Sequence, residues 1–448
     1  MLPPGLVLAS TDGVLRVRPY LELLRRPGAL SITIAHSLGR FTPGMILLAL
    51  ILALREGGYA YATVGLVTGA HQMGVALSSP LTGRLADVLG HREVLLPTGV
   101  LYLAGTATLA FGVQQGWAGV ALVLAAFATG FVSPPMTACA RAAYGAMFSG
   151  RERERAFILT SSNIELGFLL GPLLTVAIAT TLGGRFAVIT AGAGVLLGAA
   201  VYATGPRIPA TSARVPEVGA SRWSGGAFEV LSSRGLRAMV IVYLGISSSF
   251  GLFDIFAASV SEAAGIPGLA GVMMSLIAVS SLAAGFLYGA RVWRGTLRER
   301  MSRIALLLVV VQLLLVGAAG DLRLVIGVVL LAGAVIGPMN VNGFQLVDDM
   351  SPPRSRAEAQ SWTQAAIYLG SAIGGAVGGI VVDLAGPRAV AVVAAIGVSI
   401  AVLVLHRSRA RRAGAQHSAA IALVVTEPGS GAVRPWRRRG RARSGRSV

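Results

Sequence analysis

The chain has 448 residues, of which 54% are hydrophobic and 13% charged, and its mean hydropathy is +0.72. Apolar runs of about 20 residues recur along it, each long enough to cross a bilayer as a helix, which excludes a water-soluble globular protein. The formal charge is +19 and all 38 basic residues are arginine. The single cysteine, Cys139, excludes an internal disulfide framework.

Twelve apolar runs, separated by charged or Gly/Pro-rich breaks, predict twelve transmembrane helices. The predicted spans are 29–54, 61–82, 94–113, 118–140, 156–181, 186–204, 238–261, 269–290, 303–320, 323–346, 358–383 and 387–406. We therefore expect an all-α membrane protein with a cytoplasmic segment (1–27), a six-helix bundle (28–204), a cytoplasmic linker (205–236), a second six-helix bundle (237–406) and a basic tail (407–448).

The arginines indicate the orientation of the spans. Thirty-three lie in the two terminal segments and in every second connection, whereas the other connections hold only Arg55, Arg185, Arg323 and Arg388. Arg40 alone lies inside a span. The positive-inside rule then places both termini in the cytoplasm, with the spans in a bacterial cytoplasmic membrane.

The basic tail carries a cluster of arginines among Gly and Ser. Its members are Arg434, Arg437, Arg438, Arg439, Arg441, Arg443 and Arg446. We expect the tail to be disordered and to contact anionic lipid, since most arginines lie close to the membrane. Nucleic acid is not expected as a partner.

The two six-span halves repeat at a nearly constant spacing. Leu166-Gly-Phe-Leu-Leu-Gly171 recurs 203 residues later as Leu369-Gly-Ser-Ala-Ile-Gly374, and Pro135-Met136 recurs as Pro338-Met339 at the same spacing. Parallel six-helix halves around a central midplane site are typical of one large class of transporters.

The connection between spans two and three carries the pattern G-x-L-x-D-x-x-G followed by a basic residue, at Gly83, Leu85, Asp87, Gly90 and Arg92. This segment resembles the loop signature of the major facilitator superfamily. The resemblance covers roughly residues 25–406 and implies two pseudo-symmetric six-helix bundles that work by alternating access. We expect the protein to act as a monomer, to need no cofactor and to use a proton gradient as its driving force.

The resemblance gives this loop a role as well. Asp87, together with Arg92 and Arg141, is implied to latch the outward-facing state, and Gly83 and Gly90 allow the tight bends of the loop. The alternative is that these charges only orient the loop by the positive-inside rule.

Span five combines a carboxylate with small residues at Glu165, Gly167, Gly171 and Pro172. Glycines four apart allow close helix packing, and at 100° per residue Glu165 lies on roughly the opposite side from them. The Gly-x-x-x-Gly-Pro run resembles a signature of proton-driven antiporters, but the trailing glycine pair of that signature is absent. Span four lacks the arginine-glutamine-glycine signature of drug exporters. The whole chain is similar to exporters of drugs or metabolites from GC-rich bacteria.

Few charges lie inside the spans, and these are the candidates for proton coupling: Glu165, Arg40 with His36 one turn earlier, and Asp254. Burial disfavours the charged form of a carboxylate, whereas a nearby cation favours it, so a cavity that opens alternately to two sides can load and release a proton. Glu165 is the first candidate. The alternatives for it are a static bridge to Arg40 and direct contact with the substrate.

Other polar or aromatic side chains are candidates for the wall of the central cavity. They are Gln72, Asn163, Tyr243, Asn340, Trp362 and Tyr368, the last being the repeat equivalent of Glu165. Glu262 and Asp383 lie near span ends, where we expect water to solvate them. No pair of histidines has the spacing of metal ligands, so no metal site is expected.

These features predict a secondary transporter that exports a small, partly hydrophobic molecule in exchange for protons. The rival function is transport of a sugar or another metabolite, which would favour more Asn, Gln and Trp at midspan. A non-transporting membrane sensor is a remote alternative, and nothing in the sequence indicates an enzyme.

Overall fold

The computed structural model describes residues 18–205, 233–291, 293–351 and 356–425, and its regular elements there are helices. The first bundle contains α1 (Arg18–Leu24), α2 (Ala29–Glu56), α3 (Tyr61–Leu89), α4 (His91–Gln114), α5 (Gly119–Phe131), α6 (Met136–Met147), α7 (Gly150–Leu182) and α8 (Gly184–Thr204). The second contains α9 (Arg234–Ala263), α10 (Leu269–Ala290), α11 (Leu297–Ala318), α12 (Leu322–Met350) and α13 (Arg356–Val425).

These helices account for the twelve predicted spans. Ten helical stretches of the described chain are long and apolar enough to cross a membrane, and α5 with α6 counts as one of them. The longest, Ala359–His406, has 48 residues, enough for two crossings, and bends at Gly386, whose φ is 78°. The 29-residue helix α3 completes the set of twelve.

Span four, predicted as one continuous helix over 118–140, is broken at residues 132–135. Pro134 and Pro135 lack the backbone N–H that would continue the helical hydrogen bonds, and a proline disfavours helical geometry in the residue before it. Instead the Met136 amide donates to the Pro134 carbonyl at 2.9 Å, and α6 begins there. The chain therefore starts a new helix inside the span.

The C-terminal boundary also differs from the prediction. The disordered tail expected from residue 407 is helical through Val425, because Ala, Leu and Arg, which favour helix, are frequent in this stretch. Within the described chain, the stretch that follows Leu405 forms a unit separate from the residues before it. The arginine cluster at 434–446 lies outside the described residues.

Close packing of α2 against α7 stabilises the first bundle. A methyl group at Gly44 would overlap the Gly167 carbonyl, and one at Gly171 would lie 2.7 Å from the Gly44 carbonyl carbon. Both helices therefore need glycine at their crossing. The opposite side of α7, which carries Glu165 and Pro172, is left to face the second bundle.

The hydrophobic cores show where the two bundles meet. We call the end of the bundles where α2 begins the arginine-rich end, and the end where α2 finishes the arginine-poor end. At the arginine-rich end each bundle has its own core, one around Tyr144 and one around Tyr288. At the arginine-poor end the cores interlock, since Ile255 and Ala258 of α9 join the first bundle and Leu48 of α2 joins the second. From this difference between the two ends we infer a cleft that opens toward the arginine-rich end and whose apex lies toward the arginine-poor end.

Candidate functional site

The arginine-poor end of the cleft is closed by backbone contact between the bundles. A side chain at Gly65 or Gly379 would overlap the backbone of the opposite helix, at Gly375 or Tyr61 respectively. On the other side of the interface, the Ser275 hydroxyl of α10 donates to the Leu169 carbonyl of α7 at 2.8 Å. Helix pairs α3–α13 and α7–α10 therefore seal this end.

An ion pair crosses the same interface. The Arg55 guanidinium donates to both carboxylate oxygens of Glu262, at 2.9 and 2.7 Å, and lies 4.2 Å from the centre of the Tyr61 ring. The Tyr61 hydroxyl donates to Glu262 at 2.8 Å. Glu262 is exposed to water, as expected, and in addition it joins α9 to α2 and α3.

Asp383 of α13 makes a second polar link. Its carboxylate oxygens accept from the backbone N–H groups of Tyr61 at 3.1 Å and Ala62 at 2.6 Å, at the start of α3. A carboxylate here satisfies otherwise unpaired amides and complements the positive end of the helix dipole. Asp383 is also exposed to water, as expected, and the cap is an additional role. The sequence held a signal for the ion pair, because Arg55 is one of only four arginines at this end.

Deeper in the cleft, His36 joins three helices of the first bundle. Its Nε2 lies 3.2 Å from the Thr137 hydroxyl on α6, and the Asn163 amide of α7 donates to its Nδ1 at 3.5 Å. A ring that accepts at Nδ1 is neutral. His36 is buried and positions the first turn of α6 beside α2.

Arg40 lies one turn beyond His36, at the centre of a charged group. Its guanidinium interacts electrostatically with Glu165 and approaches the Tyr368 hydroxyl from the second bundle. It also lies 5.5 Å from the centre of the Phe168 ring, a cation–π distance. Arg40 and Glu165 form no salt bridge within 4 Å, and the buried Nε of Arg40 has no hydrogen-bond partner. The static bridge considered for this pair is therefore absent from the structure.

Arg141 belongs to this group as well. It is exposed, and its charge acts on both His36 and Arg40. Within the described chain it forms no hydrogen bond or ion pair. The sequence assigned Arg141 to the latch with Asp87, whose side chain lies outside the described residues, and that role stays a prediction. In the structure the charge of Arg141 acts on Arg40.

A separate carboxylate, Asp254, lies at the closed interface. It borders a small cavity of about 10 Å³, which is about the room that one water molecule needs. The cavity is lined by Leu47, Ile51, Thr68, Gln72, Gly251, Asp254, Ile255, Ser371 and Gly375. No other charged residue lines the cavity, and no donor or cation within the described chain partners Asp254.

The remaining candidates for the cavity wall fall into different places. Tyr243 was expected at the wall, but it is 2% exposed in the core of the second bundle and stacks on Phe344 with ring centres 5.7 Å apart. The face of α9 that carries Tyr243 is turned toward α12, so the Tyr243 side chain reaches this core and not the cavity. Asn340 and Trp362 are half-buried, and Trp362 packs against the same core.

The loop between α3 and α4 has the geometry that its glycines allow. Gly90 has a φ of 106°, which favours glycine, and it separates Leu89 at the end of α3 from His91 at the start of α4. Arg92 donates to the Gly205 carbonyl at the end of α8. A methyl group at Gly83 would meet no neighbour within 4 Å, so this glycine is not required by packing in the state described.

Among the described residues, no group of three His, Cys, Asp or Glu side chains is placed to hold a metal ion. The charged and titratable candidates described above are two guanidinium groups, one imidazole and two separate carboxylates.

Comparison with known proteins relates this architecture to a large family. A family model for the Major Facilitator Superfamily matches residues 29–320 and 295–443. No curated protein matches the sequence.

Solved transporter structures have a similar fold. A mutant form of the nucleoside transporter NupG superposes with a TM-score of 0.70 at 17% identity, over 85% of this chain and 99% of that one. A POT family transporter in complex with 5-aminolevulinic acid gives 0.62 at 13% identity, over 86% and 96% of the two chains. The human organic anion transporter MFSD10 gives 0.58 at 19% identity, over 84% and 98%.

Proposed function

This chain belongs to the Major Facilitator Superfamily, and on that premise we propose that it exports a small, partly hydrophobic molecule in exchange for protons. Membership makes it a multi-pass secondary transporter and not an enzyme. The similar structures include a nucleoside transporter and a complex with 5-aminolevulinic acid, which agrees with a small-molecule cargo. The partial antiporter signature at Gly167, Gly171 and Pro172 supports exchange with protons.

Orientation follows from the arginines. If the arginine-rich end is cytoplasmic, as the positive-inside rule predicts, the cleft opens to the cytoplasm and the closed end faces outward. Both termini then lie in the cytoplasm of a bacterial cell. Rocking of the two bundles would open the arginine-poor end and close the other, as alternating access requires.

The observation that best supports proton coupling is that Asp254 has no hydrogen-bond donor and no cation as a partner within the described chain. An ionised carboxylate without a donor or cation at a closed interface is strongly destabilised, so this state favours the protonated form. Opening of the arginine-poor end would hydrate the carboxylate and allow it to ionise. A proton bound from outside therefore promotes closure of that end. Loss of this proton from Asp254 into the open cleft would then deliver it to the cytoplasm, regenerate the carboxylate and complete the exchange.

Glu165 remains the alternative coupling residue. It lies in the cleft within the field of Arg40, and a cation stabilises the ionised form of a carboxylate. Burial disfavours the ionised form of both carboxylates, but Arg40 offsets part of this effect at Glu165, whereas no cation within the described chain does so at Asp254. We therefore propose Asp254 as the coupling residue, ahead of Glu165, which is the first candidate in the sequence.

The latch predicted at Gly83, Asp87, Gly90 and Arg92 concerns the other half of the cycle, in which the arginine-rich end closes. In the proposed cycle Asp87 would stabilise the outward-facing state, in which the arginine-rich end is closed. Site-directed accessibility labelling of the cytoplasmic loops in Asp87→Asn tests this role, and an unchanged inward/outward balance would reduce Asp87 to an orienting charge.

Sugar or metabolite transport is less well supported. A sugar site needs several Asn, Gln and Trp side chains free to bind hydroxyl groups. Asn163 bonds His36, and Asn342 accepts from the Tyr288 hydroxyl at 3.1 Å and donates to the Leu297 carbonyl at 2.8 Å. Few amide groups are left for a sugar.

Flux measurements in proteoliposomes test the proposal. Candidate compounds are screened under an imposed pH gradient and, separately, in counterflow without a gradient. We expect Asp254→Asn to abolish gradient-driven flux and to retain counterflow, because the neutral amide cannot carry a proton. Glu165→Gln should keep its response to the gradient. If Asp254→Asn responded to the gradient like the wild type, the assignment of coupling to Asp254 would be wrong.

A further inference from the structure

The apex of the cleft holds more positive than negative charge. Arg40 and Arg141 act on each other electrostatically, and Glu165 is the one carboxylate whose charge acts on Arg40 there. His36 is held as a neutral ring by Asn163. With two guanidinium groups and one carboxylate, the group has a net positive charge of one.

These cations also have few bonding partners within the described chain, the Tyr368 side chain being the one that bonds Arg40. A guanidinium has five N–H donors, yet the Nε of Arg40 is buried without an acceptor and Arg141 has no ion pair within the described chain. Burying a guanidinium with few partners, as at Arg40, is unfavourable, and proteins keep charged residues in membrane spans chiefly for function.

The equivalent positions in the second bundle are occupied by different residues. At the repeat spacing of 203 residues, Arg40 corresponds to Tyr243 and Arg141 to Phe344. Those two aromatic rings stack on each other with centres 5.7 Å apart. The same pair of positions is thus a packed contact in one bundle and a pair of like charges in the other.

The broken span four adds a further positive end. Because α6 begins at Met136, its first N–H groups lie inside the span, and Thr137 in this turn contacts His36. The N-terminus of a helix favours an anion through its free amides and its dipole. The proline break therefore turns the start of α6 toward the group that contains the two arginines.

An apolar surface lies next to the charges. Phe168 follows Glu165 by one turn of α7, its ring faces Arg40, and 45% of it is exposed. Tyr368 approaches Arg40 from the other bundle. A ligand that placed a negative group on the arginines would have its body beside these rings.

We propose that the cargo is an amphipathic organic monoanion, whose carboxylate or similar head binds Arg40 and Arg141 and whose apolar body lies against Phe168 and Tyr368. This inference deepens the proposed function and rests on it only in taking the cleft as the place where the cargo binds. Substrate and proton then bind at separate places, the anion near Arg40 and the proton on Asp254.

Binding to the purified protein tests the inference without a pH gradient. Isothermal titration calorimetry would compare benzoate, naphthoate and octanoate, each with its neutral primary amide. We expect at least one carboxylate to bind about tenfold or more tightly than its amide, because charge-assisted hydrogen bonds to arginine are the stronger kind. The preference should disappear in Arg40→Gln and weaken in Arg141→Gln.

Two control variants separate binding from folding. Arg40→Lys retains the charge and should retain much of the preference, and Arg323→Gln removes an exposed arginine at the arginine-poor end and should leave the preference unchanged. The inference is overturned if no carboxylate binds more tightly than its amide, or if the preference survives in both Arg40→Gln and Arg141→Gln.

The same assay keeps the two proposals distinct. Asp254→Asn should bind carboxylates like the wild type, because Asp254 is not part of the arginine group. Loss of proton-coupled flux with an intact carboxylate preference would refute the exchange mechanism alone. Coupled flux of neutral compounds without a carboxylate preference would refute the anion site alone.

Discussion

Replacement of Asp383 by alanine is expected to open the arginine-poor end of the transporter. Asp383 accepts two backbone hydrogen bonds from the start of α3, at 3.1 and 2.6 Å, and both are lost when the bundles separate. A carboxylate that caps a helix in this way contributes about 1–2 kcal/mol. Its loss should raise the population open at this end by about 5- to 30-fold.

The ion pair next to it should matter less. The Arg55 and Glu262 side chains are 27% and 52% exposed, so water and salt screen their attraction. An exposed pair contributes about 0–1 kcal/mol. We therefore expect Glu262→Gln to change the open population by about fivefold at most, and Asp383→Ala to change it more.

Cysteine labelling measures this population. Ser371 borders the small cavity at the closed interface, so in a Cys139→Ser background the variant Ser371→Cys should react with a membrane-impermeant maleimide only in the open state. The rate of labelling then reports the open fraction. Added Asp383→Ala should raise that rate by about an order of magnitude.

Asp321→Ala is a matched control for this experiment. Asp321 also caps a helix at the arginine-poor end, accepting from the Arg323 and Leu324 amides at 2.8 and 3.4 Å, but its helix lies in the same bundle. It should leave labelling unchanged. Equal rates for the wild type, Asp383→Ala and Asp321→Ala would refute the view that Asp383 holds the bundles together.

Two further predictions concern pH and packing. Labelling of Ser371→Cys, normalised to an exposed cysteine at Gln115→Cys, should rise with pH and become independent of pH in Asp254→Asn, because closure favours the protonated carboxylate. Gly44→Ala should destabilise the protein by about 1–3 kcal/mol, because its methyl group would overlap the backbone of α7, and this should appear as a lower Tm in detergent. Gly317→Ala is the control, since a methyl group there would meet no neighbour within 4 Å and should not lower the Tm.

The class of fold was predictable because its signals are local. Long apolar runs and the alternation of arginines between connections determine the number of spans. The break in span four also had a local signal, since Pro134 and Pro135 cannot continue a helix, but the apolar run through them concealed it. The bend at Gly386 was predicted as a boundary between two spans.

The partners within the site were much less predictable. Asp383 caps a helix that starts 322 residues earlier in the sequence, and such a contact depends on how two bundles tilt against each other. Tyr243 shows that the rotation of a helix about its own axis is also hard to predict. An aromatic residue near midspan faces either a cavity or a core, depending on that rotation. Only packing decides this, and it buried Tyr243 against Phe344.

The asymmetry between the repeats explains how one cleft can serve two ligands of opposite charge. At the repeat spacing, Asp254 corresponds to Ile51, and the two side chains border the same small cavity. The arginines belong to the first bundle alone and the isolated carboxylate to the second. In the state described, the arginine group lies in the open cleft while Asp254 is sealed at the arginine-poor end. Rocking would open the arginine-poor end, so the anion could leave the arginine group to the outside while a proton binds Asp254, without the two ligands competing for one site.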